Sequence, residues 1–382
     1  MTDLPAIPVF RPLLPPADAV AAYLRQADAA RFYTNRGPLV RQLEQRLAAA
    51  LGLPGHAVRT ASSGTAAIEV AILAHAGPAR ADRPLALIPG YTFAATALAA
   101  ERCGYVPHFV DVDPDSWAVD PAALADHPLL ARTGLILPVA PFGRMPDMAA
   151  LARLSRDTGI PVVLDAAASF EQVLDTPALV TAEVPMALSF HATKTFSTGE
   201  GGAILWLDAA GQDRAVQVAN FGFRLSRECR IAGTNAKMSE YHAAVGLAML
   251  DGFADRRAAY ARVAAAWRAL SAGLALPGRL FTAPEVSSAY VLLWAEDETA
   301  FLTLESACTA ARIETRRWYE AGLQDQPHFA HLGRDAMAGT RAVGGRLLGL
   351  PMACDLTEEA IATVLTTLHR AAASLPPARA AG

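Results

Sequence analysis

Ser189-Phe190-His191-Ala192-Thr193-Lys194, followed by Thr198-Gly199-Glu200-Gly201-Gly202, joins an apolar run at 187–190 to another at 203–207. A strand end, a hydroxyl, a lysine and a flexible turn thus fall close together. Composition makes the lysine conspicuous: of the 33 basic residues, only Lys194 and Lys237 are lysines. A GC-rich coding bias writes arginine wherever a surface cation suffices, and lysine survives best where arginine cannot replace it. Arginine keeps its proton near neutral pH and forms no imine, whereas a partly buried lysine can. Two other readings of residues 199–202 stand beside this one, a plain loop and a nucleotide phosphate loop. Neither G-x-x-x-x-G-K-[ST] nor a G-x-G-x-x-G closing a βα turn is present, which argues against the second.

Around this stretch, from about 57 to 208, short apolar runs alternate with segments of helical period. Strands are expected at 85–88, 108–112, 135–139, 162–164, 187–190 and 203–207, and helices at 64–75, 93–103 and 148–158. Strands spaced by helices imply crossovers, hence an α/β fold with a mostly parallel sheet covered on both faces. Ahead of it lie an arm punctuated by Pro5, Pro8, Pro12, Pro15 and Pro16, a helix from about Asp18, and a second helix from Gly37-Pro38 to Leu51. Pro38 suits an early helical position. Past Ser239 the pattern changes: 239–272 reads as one long helix, and the remainder as a smaller α+β unit. The expected division is a large domain, 1–250, including the N-terminal arm, and a small C-terminal domain, 251–382, ending in a frayed Ala-rich tail.

Two more places could carry chemistry. Ser62-Ser63-Gly64-Thr65-Ala66-Ala67 opens the helical run at 64–75. Small residues let a backbone approach a ligand, and a helix N-terminus presents unpaired N–H groups to an anion. An ordinary Ser or Thr cap is the plainer account. Asp165 ends the run Pro161-Val162-Val163-Leu164. Ligands of open α/β sheets sit at the carboxyl ends of strands. A buried carboxylate is costly unless it meets a cation, and a protonated pyridine nitrogen is one. A helix-capping role explains Asp165 equally well.

Composition narrows the function classes. Net charge is −4 with no long basic run, which disfavours a nucleic-acid surface. No apolar run reaches the roughly 18 residues a membrane span needs. Met1 to Arg11 holds an acid, several prolines and no basic start, unlike a signal peptide. Cys103, Cys229, Cys308 and Cys354 are scattered with no C-x-x-C pair, so neither a disulfide framework nor a zinc site is expected, and a reducing cytoplasm is the default. Only 18% of residues are charged, so part of the surface is expected to be covered by another subunit.

Taken in order, these blocks resemble the fold-type-I pyridoxal-phosphate (PLP) enzymes of the DegT/DnrJ/EryC1/StrS sugar aminotransferase family. The resemblance runs from Thr34-Asn35-Arg36-Gly37-Pro38 through Ser62-Ser63-Gly64-Thr65, Pro89-Gly90-Tyr91-Thr92-Phe93 and Phe109-Val110-Asp111-Val112-Asp113. It continues through the Lys194 block and Gly233-Thr234-Asn235-Ala236-Lys237-Met238-Ser239-Glu240 to Glu314-Thr315-Arg316-Arg317-Trp318-Tyr319. Several blocks in the right order are specific where any single one is not.

The resemblance implies roles. Lys194 would bind PLP as an aldimine and then shuttle the proton, and Asp165 would pair with the pyridine nitrogen. Phe93 would stack on the ring, against a reading as a core aromatic. Gly64, Thr65 and Ser189 would hold the phosphate, with Asn235 reaching in from the neighbouring subunit of a homodimer. Lys237 would be a supporting or substrate-phosphate contact, against a surface salt bridge. Arg224, Arg230, Arg316 and Arg317 could hold carboxylate or diphosphate. Three positions depart from the family pattern: Ala168 where Gln or His is common, Thr195 where Asn is, and Gln324 where His is.

The implied activity moves an amino group from glutamate to a nucleotide-linked keto-sugar through pyridoxamine phosphate. The blocks around Lys194, Asn235 to Glu240 and Thr315 to Tyr319 are most similar to the branch acting on 3-keto sugars. Two alternatives are a PLP- or PMP-dependent sugar dehydratase of the same fold, a branch that typically lacks the lysine, and a non-catalytic ligand-binding homologue.

Overall fold

The computed structural model describes residues 6–375, so Pro5 and most of the Ala-rich tail lie outside it. Seven strands come first along the chain: β1 Val58–Ala61, β2 Leu85–Pro89, β3 Val106–Val110, β4 Thr133–Ile136, β5 Leu164–Asp165, β6 Met186–Ser189 and β7 Gly202–Leu205. Five follow: β8 Gly278–Phe281, β9 Val291–Ala295, β10 Arg316–Arg317, β11 Gly333–Arg334 and β12 Leu347–Leu350.

One half of the large sheet runs β1-β7-β6-β5 and the other β11-β3-β2-β4. Parallel bridges Ile136↔Val162 and Val139↔Asp165 join them into one surface. The sheet is mostly parallel, as expected. The exception is β7, antiparallel to both β6 and β1, because the short turn after Lys194 reverses the chain instead of crossing over. Strand β1 escaped the sequence reading, and β3 lies two residues earlier than expected.

Alternation along the strands feeds two cores. Ala86 and Ile88 face one side and Leu87 the other, and Val163 and Leu164 divide likewise. The helices Gly64–His75, Ala94–Arg102 and Ala209–Val218 cover the first side, and Pro38–Ala50, Met148–Thr158 and Glu240–Asp251 the second. Two of the family-like blocks meet in this packing. The Glu240 carboxylate accepts from Leu39 N (2.7 Å) and Val40 N (3.1 Å), capping the helix that Pro38 opens. A Cβ on Gly37 would sit 2.6 Å from that carboxylate, so only glycine fits there.

The expected single helix over 239–272 is two, Glu240–Asp251 and Phe253–Ser271, broken at Gly252. A smaller antiparallel sheet, β10-β12-β9-β8, packs against Phe253–Ser271, Glu298–Ala310 and Glu358–Ala372 around its own core. The proposed boundary at 250/251 thus falls at the end of one helix, while β11 returns to the edge of the large sheet beside β3. No helix among the described residues is long and apolar enough to cross a membrane.

Candidate active site

Strands β5 and β6 run parallel and end side by side, so Asp165 and the segment after Ser189 are delivered to one rim. The turn that follows is fastened by its own hydroxyls. Ser197 donates to Phe190 O (3.1 Å) and accepts from Gly199 N (3.0 Å), and Thr198 donates to Glu200 O (2.6 Å). Gly199 adopts φ +84°, which favours glycine. Lys194 N–H donates to His191 O (2.9 Å), fixing the direction of the lysine side chain.

Asp165 is only 5% exposed. Its Oδ2 accepts from Thr96 Oγ1 (2.7 Å), which also shares a hydrogen bond with Thr92 (2.8 Å), and its Oδ1 accepts from Ala167 N (3.1 Å). It caps no helix, since the next one begins at Phe170 behind Ser169. Burial pushes the carboxyl above its ordinary 3.8, while the Thr96 and Ala167 hydrogen bonds and the nearby Lys194 charge pull the other way. Desolvation wins, so this carboxylate calls for a cation.

Lys194 Nζ donates to the hydroxyl of Tyr290 (2.8 Å), delivered from the start of β9 across the junction with the small sheet. Tyr290 belongs to an aromatic wall. Its ring lies 5.4 Å from Phe142, which stacks on Tyr319 (5.7 Å, 8° between planes). Tyr319 in turn faces Phe93 (6.2 Å). Phe93 itself is 60% exposed, which rules out the core-aromatic reading and leaves a ring face open beside the site. Tyr290→Phe keeps the packing and deletes one hydrogen bond to the lysine, so steady-state turnover is expected to fall about 10-fold with little change in melting temperature.

Ser63 caps the helix Gly64–His75, its Oγ accepting from Ala66 N (3.1 Å). The plain cap reading therefore holds, and it leaves the anion-binding end of that helix beside Ser189. A Cβ on Gly64 would lie 2.7 Å from Ser189 Cβ and 3.0 Å from its Oγ, so the two are in contact. Thr65 makes no side-chain hydrogen bond among the described residues and is partly exposed there. A phosphate-bearing pyridine fits this arrangement: a buried carboxylate for the ring nitrogen, a lysine, an aromatic face and a helix N-terminus with hydroxyls.

Asn235 is not brought onto this cluster by its own chain. It is exposed, and its Oδ1 accepts from Lys237 Nζ (2.6 Å). Lys237 forms no ion pair among the described residues; it lies 4.3 Å over the Phe221 ring, and burial lowers its pKa. The four arginines that could hold an anion are paired, Arg224 with Asp213, Arg230 with Glu228, Arg316 with Glu314 and Arg317 with Glu305. Ala168 is buried, Thr195 O accepts from Arg256 Nε (2.7 Å), and buried Gln324 donates to Ala321 O (2.7 Å). Thr92, Thr96 and Tyr290 went unremarked in the sequence as site residues. The first two fall one helical turn apart at the end of β2, a faint signal, and Tyr290 left none.

The model of one protein family matches residues 17–369. The chain belongs to the DegT/DnrJ/EryC1/StrS aminotransferase family. Among relatives, protein Rv3402c of Mycobacterium tuberculosis (strain ATCC 25618 / H37Rv) is 31% identical over 380 residues, 97% of this chain and 91% of that protein. A solved structure from Bacillus cereus ATCC 10987, of a protein named as a PLP-dependent aminotransferase, matches with a TM-score of 0.85 at 28% identity. It covers 95% of this aminotransferase and 99% of its own chain. DesI, solved in the presence of its TDP-sugar product, matches with a TM-score of 0.84 at 29% identity, over 97% and 94% of the two chains. This aminotransferase therefore has the fold of PLP enzymes along nearly its whole length.

Proposed function

We propose that this PLP-dependent aminotransferase carries an amino group from glutamate to a nucleotide-linked keto-sugar, with Lys194 as the residue that holds the cofactor and moves the proton. The observation that carries the reading is Lys194 and the desolvated Asp165 on one rim beside Gly64, Ser189 and an exposed aromatic face. Bound there, PLP supplies a carbonyl for amine exchange and an electron sink. Asp165 keeps the pyridine nitrogen protonated, Phe93 covers the ring, and Gly64, Thr65 and Ser189 receive the phosphate. Lys194 Nζ takes the proton from the donor's Cα and returns protons at the acceptor carbon when the amine is delivered. Tyr290 holds Nζ in place between these steps.

Asn235 completes the phosphate site from the second subunit of a homodimer. Support comes from its exposure and from Phe221, Leu225, Ile231 and Tyr241, large apolar side chains near it in sequence that one chain leaves uncovered. Asn235→Ala is expected to weaken PLP retention roughly 10-fold, a hydrogen bond to a charged group being lost, while the sedimentation coefficient stays that of a dimer.

The acceptor reading rests on the family and on the blocks shared with the 3-keto branch. Incubation with PLP, glutamate and 3-keto or 4-keto nucleotide sugars tests it, read by mass spectrometry. One amino-sugar formed per 2-oxoglutarate is the expected result. Loss of water from the sugar without amine incorporation points to the dehydratase chemistry instead.

A further inference from the structure

Three residues far apart in sequence meet at the outer edge of the large sheet. His108 stands on β3, His127 in the turn after the helix Pro121–Ala125, and Asp335 just after β11. The parallel register Gly333↔His108 and the bond from Asp335 N to Phe109 O (2.9 Å) bring the carboxylate alongside the strand. Asp335 Oδ1 lies 3.0 Å from His108 Nε2 and 3.4 Å from His127 Nε2, and the ligand atoms of all three fall within 4.8 Å of one another. Bonds of about 2.0–2.1 Å in a tetrahedron set ligand atoms about 3.3 Å apart, so the two carboxylate–imidazole separations are those of adjacent corners. The imidazoles are 14% and 8% exposed and the carboxylate 35%.

We propose that His108, His127 and Asp335 form a site for a divalent transition-metal ion, outside the catalytic rim. Two imidazole nitrogens and one carboxylate oxygen favour Zn²⁺ and its neighbours over Mg²⁺ or Ca²⁺, which prefer all-oxygen shells. A cavity of about 240 Å³ adjoins the triad, lined by His127 and Asp335 together with Asp111, Asp113 and Asp120. It leaves a face open for a fourth, solvent ligand, and its acidic wall raises the local cation concentration. Besides Asp335, His127 accepts from Leu129 N–H at Nδ1 (3.3 Å), and its ring stands edge-on to that of His108 (5.6 Å between centroids). A metal bound at Nε2 needs that nitrogen unprotonated, so a neutral imidazole carries its proton on Nδ1 and the long Leu129 contact is displaced. The ion would staple segment 333–335, at the sheet edge, to strand β3 and to the 127 turn, and so stabilise the junction by mass action.

Zn²⁺ binding to the PLP-loaded, EDTA-stripped full chain tests this, by competition with a chromophoric chelator and by melting with and without the ion. The expected result is one Zn²⁺ per chain, a higher melting temperature, and an affinity at least ~100-fold lower in His127→Gln and in Asp335→Asn. His328→Gln, an exposed histidine elsewhere, should bind like wild type. If one triad variant fails to fold, the other gives the same reading. No saturable binding by wild type, or equal binding by the folded triad variants, overturns the site and leaves a hydrogen-bonded His–Asp–His cluster.

Discussion

Lys194→Ala loses turnover by about 10⁴-fold or more and no longer shows the visible absorption of a lysine-linked cofactor. Both effects trace to one atom. Among the described residues Nζ is the only amine on the rim and Tyr290 (2.8 Å) its only hydrogen-bond partner, while the other lysine, Lys237, is occupied with Asn235. Removing it deletes the proposed covalent anchor and the proposed proton carrier together, and a general base alone accounts for about 10²–10⁴-fold. Lys194→Arg fails to the same depth, because guanidinium keeps its charge and its proton. Melting temperature stays near that of wild type in both variants, since the hydroxyl-fastened turn and the core beneath it are untouched. Steady-state assay beside an absorption spectrum and a melting curve checks all three parts.

Asp165→Asn lowers activity about 10³-fold and, in the cofactor-free protein, raises stability. The first effect follows from the proposed pairing of this carboxylate with the pyridine nitrogen, whose fixed negative charge is lost. The second follows from burial. The folded carboxyl titrates above its ordinary 3.8 because it is desolvated. A raised folded value means that the folded state binds the proton more tightly, so stability contributed by the protonated form is lost as pH climbs from the unfolded value through the folded one. Asparagine buries no charge, and it keeps both local contacts: its oxygen accepts from Ala167 N and its amide donates to Thr96 Oγ1. The variant's cofactor-free form should therefore melt roughly 2–4 °C above wild type at alkaline pH, with the gap closing in mild acid. With PLP bound the order reverses, because the wild-type carboxylate has its cation.

What the sequence makes legible is what local pattern determines. The helices Gly64–His75 and Met148–Thr158 come out residue for residue, since each is opened by a side-chain cap from Ser63 or Asp147. Asp165 and Lys194 are visible because strand ends are visible. The misread helix at 239–272 shows the limit: apolar and Ala-rich flanks hide a single breaking glycine. Strand β1 hides because Arg59 and Thr60 interrupt its apolar run. Tertiary meetings leave still less trace. Tyr290 reaches Lys194 from 96 positions away, the Glu240 cap joins residues 200 and more apart, and Asp335 meets His108 across 227. Asn235 is legible only through family resemblance, because its proposed partner lies in a second chain.

The most direct test of the central claim is the absorption spectrum of the PLP-loaded protein before and after glutamate is added. Wild type is expected to show a visible band that glutamate discharges with release of one 2-oxoglutarate per site, and Lys194→Ala to show neither event. A wild-type protein that never acquires the band with added PLP, or a Lys194→Ala protein whose band glutamate still discharges at the wild-type rate, contradicts it.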